Sequence, residues 1–136
     1  MPNWISALFS PGRLRLYGWL SLASQIVIVV TGGLVRLTGS GLGCPTWPRC
    51  TEESFVTVPE MGIHGIIEFG NRLLTFVLII IALLTFIVVR RTTRSERFGL
   101  TWPALALGLG IIAQALLGGV TVLTGLNPWI VGAHFL

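Results

Sequence analysis

The residues able to do chemistry in this 136-residue chain are few and fall in three short words. The first is Ile63-His64-Gly65-Ile66-Ile67-Glu68-Phe69-Gly70-Asn71-Arg72. At about 100° per residue, steps of four and seven positions return to nearly the same direction, so His64, Glu68 and Asn71 form one polar stripe on an otherwise apolar helix. Such a stripe offers an imidazole, a carboxylate and an amide to whatever packs against it. Ionisable groups inside a membrane are costly and count as functional until shown otherwise. For Glu68 a plainer reading stands beside the functional one, an i,i+4 ion pair with Arg72, and the two are compatible. The second word is Cys44-Pro45-Thr46-Trp47-Pro48-Arg49-Cys50, two thiols close in sequence. The third is Asn127-Pro128-Trp129-Ile130-Val131-Gly132-Ala133-His134, which holds the second of only two histidines.

The elements that must position these groups are membrane helices. Of the chain, 53% is hydrophobic and 10% charged, and the mean hydropathy of +0.85 lies outside the range of soluble globular domains. Residues 19–37, 64–89 and 100–123 are each apolar for about the 20 residues that cross a hydrocarbon core. The expected fold is an all-α integral membrane bundle with three complete helices and the start of a fourth. The fourth stretch begins near Ile130 and stops far short of a crossing, so the chain reads as truncated within that helix. Residues 1–16 read as a cytoplasmic N-terminal segment, 17–136 as a half-bundle and 38–62 as an outer loop. Arg13 and Arg15 before the first apolar run resemble the start of a signal peptide, but no small-x-small cleavage pattern follows, and a retained helix is expected.

All nine basic residues are arginines. Arg13 and Arg15 precede the first helix, and Arg90, Arg91, Arg94 and Arg97 crowd the short connection between the second and third, which puts both regions on the cytoplasmic side by the positive-inside rule. The net charge of +4 is then an orientation signal, and a nucleic-acid-binding role is not expected. The loop over 38–62 falls on the outer, oxidising face, where Cys44 and Cys50 are candidates for a disulfide, with two reduced thiols as the alternative.

An internal repeat organises the chain. Gly32-Gly33-Leu34-Val35-Arg36-Leu37-Thr38-Gly39 closes the first helix and Gly118-Gly119-Val120-Thr121-Val122-Leu123-Thr124-Gly125 closes the third. Each is followed by an outer loop with Pro and Trp, and then by a helix with a histidine near its outer end, His64 or His134. Repeat halves commonly pack about a pseudo-two-fold axis with function at their interface, which would turn the histidines toward each other. The paired glycines permit close approach of backbones or of a flat ligand. Imidazoles at equivalent points of a repeat suit axial ligation of a haem iron. Arg36 and Arg72 could neutralise the propionates of such a group, although Arg36 reads equally well as snorkelling to the headgroups.

The run from Thr31 to Cys50, the word Ile67-Glu68-Phe69-Gly70-Asn71-Arg72, and the Gly118 to Gly125 word followed by His134 resemble the N-terminal half of haem A synthases, closest to their actinobacterial branch. The resemblance covers most of residues 17–136. It implies an eight-helix protein in two similar halves, oxidising the C8 methyl of haem O to the formyl of haem A for terminal oxidases, with product oxygen from water. It implies a haem b cofactor in the C-terminal half and the substrate haem in this one, a bacterial cell-membrane location, and functional neighbours such as haem O synthase and oxidase assembly factors. Carried over by position, Glu68 matches the catalytic carboxylate, His134 the histidine of the fourth helix, and Cys44 and Cys50 the outer-loop pair. One position departs: where the family has a histidine three residues after the glutamate, this chain has Asn71, a poor iron ligand. His64, one turn above Glu68, is the expected substitute, with iron held by His134 alone as the alternative. On this reading the isolated chain is not expected to be active, and a homo-oligomer is compatible with it. Rival readings are a haem electron carrier, a four-helix thiol-disulfide membrane protein and a structural subunit.

Overall fold

The computed structural model describes residues 8–136, so the first seven residues of the expected N-terminal segment lie outside the described part. Among the described residues four α-helices follow one another: α1 over Leu14–Leu37, α2 over Gly62–Arg91, α3 over Arg94–Leu123 and the short α4 over Pro128–Phe135. Single 3-10 turns at Pro11–Arg13 and Pro59–Met61 lead into α1 and α2. Three helices are long and apolar enough to cross a membrane, and the protein is a multi-pass membrane protein. The helices run beyond the apolar stretches because arginine is a good helix former. Arg90 and Arg91 complete the last turn of α2, and Arg94 and Arg97 stand in the first turn of α3.

Most of the large apolar side chains face outward. Val29, Val30, Ile80, Leu83, Leu109 and Leu116 are all more than half exposed. A surface this apolar is compatible only with lipid or protein around it. The buried set is correspondingly small, with small or β-branched members such as Ala82, Val88, Val89 and Ala104.

The chain divides into two compact units. One holds the residues up to Ile26 together with Val77–Ile112. Its polar pins are a Ser21 Oγ to Thr85 Oγ1 hydrogen bond of 2.9 Å between α1 and α2, and the Tyr17 hydroxyl donating to the Leu8 carbonyl at 3.2 Å. The Arg91 guanidinium lies 4.9 Å from the centroid of the Phe9 ring, a cation–π distance. Thr92 ends α2 with its hydroxyl on the Val89 carbonyl.

The other unit, Val27–Phe76 with Ala113–Leu136, contains every candidate site residue. Here the repeated word yields the same local structure twice. Gly39 and Gly125 adopt φ of +67° and +60°. Ser40 N–H donates to the Val35 carbonyl and Gly39 N–H to that of Arg36, just as Leu126 N–H donates to Thr121 and Gly125 N–H to Val122. This is the Schellman termination, in which glycine takes the left-handed position and the crossed bonds satisfy carbonyls a helix end leaves free. Asn127 caps α4 by accepting from the Trp129 N–H at 3.0 Å, with Pro128 at the first helical position.

Candidate functional site

The site is built around the loop over residues 38–62 and the first turns of α2. Cys44 and Cys50 form a disulfide with their Cα atoms 4.4 Å apart, as their placement in one loop suggested. The closed loop is held on α2 by two side chains one turn apart. Glu68, only 4% exposed, accepts from the Cys44 backbone N–H at 2.7 Å through Oε2. Its Oε1 accepts from Arg72 Nε at 3.2 Å and Nη2 at 2.5 Å. Both oxygens act as acceptors, the pattern of a carboxylate anion.

Arg72 reaches on into the loop. Nη1 donates to the Thr46 and Arg49 carbonyls at 3.0 and 3.1 Å, and Nη2 to the Cys44 carbonyl at 2.9 Å. A guanidinium has five N–H groups, and these bonds, with the two to Glu68, engage all five. The expectation that Arg72 would neutralise an external carboxylate is therefore corrected: as placed, it has no N–H left to offer. A planar fork facing several loop carbonyls holds a loop without regular secondary structure more firmly than it could hold itself. Arg36 is exposed in the last turn of α1, a position that suits the snorkelling reading.

His64 is exposed on α2 with Nδ1 hydrogen-bonded to Ser40 Oγ at 2.9 Å, and Ser40 Oγ is in turn 2.7 Å from Thr38 Oγ1. With Nδ1 engaged in this way, Nε2 is the ring nitrogen of His64 without a hydrogen bond among the described residues. Asn71 turns toward α1, its Oδ1 accepting from Thr31 Oγ1 at 2.7 Å. Thr31 and Asn71 line a half-open groove of about 240 Å³ with Leu34, Ile66, Ile67, Gly70 and Leu74. The stripe read from sequence thus divides its attention: His64 and Glu68 engage the outer loop, and Asn71 engages α1.

His134 is anchored elsewhere, on α3. A Cβ placed on Gly118 would fall 3.0 Å from its Cε1, and one on Gly119 would fall 2.5 Å from the Trp47 ring. Adjacent glycines thus receive the histidine of α4 and the tryptophan of the disulfide loop, side by side on one helix. Through Trp47 the loop that Glu68 and Arg72 hold is packed beside the seat of His134. Gly41 extends the same contact, since a Cβ there would meet the Leu126 side chain at 3.0 Å. Gly43 has the backbone of His64 and Gly65 where a side chain would be. By contrast Gly32 and Gly33, the repeat counterparts of Gly118 and Gly119, have nothing within 4 Å.

With this arrangement in view, comparison with known proteins decides the family. The model of the cytochrome oxidase assembly protein family (COX15-CtaA) matches residues 15–136. The chain belongs to that family. Among its relatives, the haem A synthase of Geobacillus kaustophilus is 33% identical over 130 residues, covering 95% of this chain and 39% of the relative. Those of Bacillus pumilus and Listeria welshimeri are 32% and 30% identical over 127 residues, each covering 90% of this chain and 39% and 40% of the relative. The chain therefore spans about two fifths of the length of the curated relatives it matches. No solved structure matches it.

For this member of the family, reading along the sequence singled out Glu68, Arg72, Cys44 and Cys50, and the structure brings all four into one cluster. It adds residues that the reading passed over: Ser40 behind His64, Thr31 behind Asn71, and Trp47 on Gly119. Trp47, between Pro45 and Pro48, belongs to the first of the two repeated loops with Pro and Trp. The paired glycines of α3 were the available signal that something large must sit there.

Proposed function

We propose that this chain is the substrate-binding half of a haem A synthase, holding haem O near the outer membrane face while its C8 methyl group is oxidised to the formyl group of haem A. What carries the reading is family membership along nearly the whole chain, with relatives named haem A synthase. The arginine-rich connection between α2 and α3 supports placing that side in the cytoplasm of a bacterial cell and the disulfide loop outside. Residues 17–136 would then form the half-bundle, with 38–62 as its outer cap.

The donor set suits a haem. The His134 Nδ1 is buried without a hydrogen-bond partner, the condition of an imidazole arranged for something not yet counted. His64 is held at Nδ1 by Ser40, and its Nε2 faces no competing bond among the described residues. These two histidines are the proposed iron ligands of the substrate. Asn71, engaged by Thr31, is assigned to the wall of the groove, and Arg36 stays available for a propionate. Arg72 fits instead as the clamp that positions Glu68.

The net change is the methyl group plus one water going to the formyl group with loss of four electrons and four protons. The electrons would leave to a haem b carried by the rest of the full-length protein, and haem O synthase and oxidase assembly factors would stand before and after it. Within this chain Glu68 supplies a fixed negative charge beside the reacting carbon, stabilising cationic character there or orienting water. Its two bonds to Arg72 and one to Cys44 hold that charge still, so little reorganisation is needed as the reaction proceeds. His134 would hold the ring against α3, beside the Trp47 side chain seated on Gly119.

The test is made in the full-length protein supplied with haem O, by extracting the pigments and separating haem O from haem A. His134→Ala is expected to lose bound haem O. Glu68→Gln is expected to retain it and form no haem A; normal conversion by that variant overturns the carboxylate role. Normal binding and conversion by His64→Ala would leave His134 as the sole ligand from this half.

A further inference from the structure

Two polar atoms of the unit that holds the site residues are buried with no hydrogen bond: Gln114 Oε1 on α3 and His134 Nδ1 on α4. The third orphan, Thr57 Oγ1, belongs to the outer loop. A buried polar atom without a partner is expensive in an apolar setting, and two such atoms on residues that meet call for one explanation. The imidazole seats over Gly118, one turn along α3 from Gln114, and lies alongside the Gln114 backbone carbonyl without reaching hydrogen-bonding geometry at Nδ1.

We infer that Gln114 is a positioning residue for His134, its side-chain Oε1 accepting a hydrogen bond from His134 Nδ1–H, directly or through one buried water. One contact then satisfies both orphan atoms. The bond also has a chemical consequence. With the proton fixed at Nδ1, the lone pair is left at Nε2, where a metal-bound imidazole needs it, and ligating histidines usually donate their other N–H to an oxygen in this manner. If the amide were turned round, its N–H would donate to Nδ1, the proton would sit on Nε2 and His134 could not ligate. Gln114 thus sets which nitrogen of His134 is available. The hydrogen bond is argued from the two unpaired buried atoms, while its use in ligation rests on the function proposed above. The resemblance to known sequences pointed to His134 but gave no role to Gln114, a lone polar residue in an apolar helix.

The experiment is nitrogen NMR of the ring nitrogens in the full chain, labelled at histidine and held in detergent micelles. With two histidines in the chain, His64→Gln assigns the signals. The expected result is His134 in the Nδ1–H tautomer in the parent chain, with Gln114→Leu losing that preference and Gln114→Glu, which keeps an acceptor oxygen, retaining it. His134 found as the Nε2–H tautomer overturns the inference. So does an unchanged Nδ1–H tautomer in Gln114→Leu, which would assign the acceptor to the backbone carbonyl. Where Gln114→Leu does not yield folded protein, Gln114→Met, which keeps the side chain's length and removes its acceptor, is read in the same way. None of these readings needs haem, so failure of the proposed function would appear separately, as lack of haem O binding by the full-length protein.

Discussion

At the residue scale the decisive group is Arg72, which joins the carboxylate of Glu68 to three carbonyls of the disulfide loop. Removing one partner of a buried, hydrogen-bonded charge pair leaves the other uncompensated, which costs about 3–5 kcal/mol. Glu68→Ala is expected to lower the unfolding free energy of the detergent-solubilised chain by that amount. Arg72→Lys is expected to cost about 2–3 kcal/mol, because an ammonium with three donors cannot reproduce a five-donor fork. Denaturant titration followed by helical circular dichroism checks both. A double-mutant cycle between the two positions should return a coupling of at least about 1 kcal/mol, and additivity would mean that the pair does not act as one clamp. Glu68 and its neighbour were legible from spacing alone, as an ion pair or a functional acid. That the pair grips a loop was not, because the loop carbonyls that Arg72 grips come from residues 23 to 28 positions away.

At the scale of elements, α3 carries a closely packed surface at two adjacent glycines. Gly119→Ala would drive a methyl group into the Trp47 ring, and overpacking of this kind costs about 1–3 kcal/mol. Gly33→Ala, at the equivalent point of α1 where space is open, should be neutral or slightly stabilising within this chain, since alanine improves helix propensity by up to about 1 kcal/mol. Thermal unfolding of the two variants side by side measures the contrast, and equal effects would show that the glycines serve only helix propensity. The same pairing in sequence thus has two structural fates, which a repeat detected by eye cannot reveal. The disulfide makes a third expectation. Closing so short a loop restricts the unfolded chain by about 2 kcal/mol, so Cys44→Ser with Cys50→Ser should lower stability by about that much. It should also release Trp47, seen as a red shift in tryptophan emission.

For the whole molecule, charge distribution predicts orientation. A single cysteine introduced at Ser95, in the first turn of α3, with Cys44 and Cys50 replaced by serine, should be protected from a membrane-impermeant maleimide added to intact cells. One introduced at Glu53 in the outer loop should react. The reverse pattern would invert the topology and put the proposed site on the cytoplasmic face.

Read on its own, the sequence determined the helices, the repeat and the polar stripe, because these follow from hydropathy and from a period set by backbone geometry. The two Schellman ends seen in the structure are equally local, since glycine after threonine at the close of each word takes the left-handed conformation for steric reasons. What remained for the tertiary structure was everything that depends on which segments meet. Only folding decided that Asn71 serves α1 while Glu68 serves the loop, that Arg72 has no donor to spare, and that His134 and Trp47 share neighbouring seats on α3. It also decided that Gln114 stands beside His134. Such partnerships join residues far apart in the chain, and no local propensity records them; they arise because a buried polar atom takes whatever donor or acceptor the packing brings within reach.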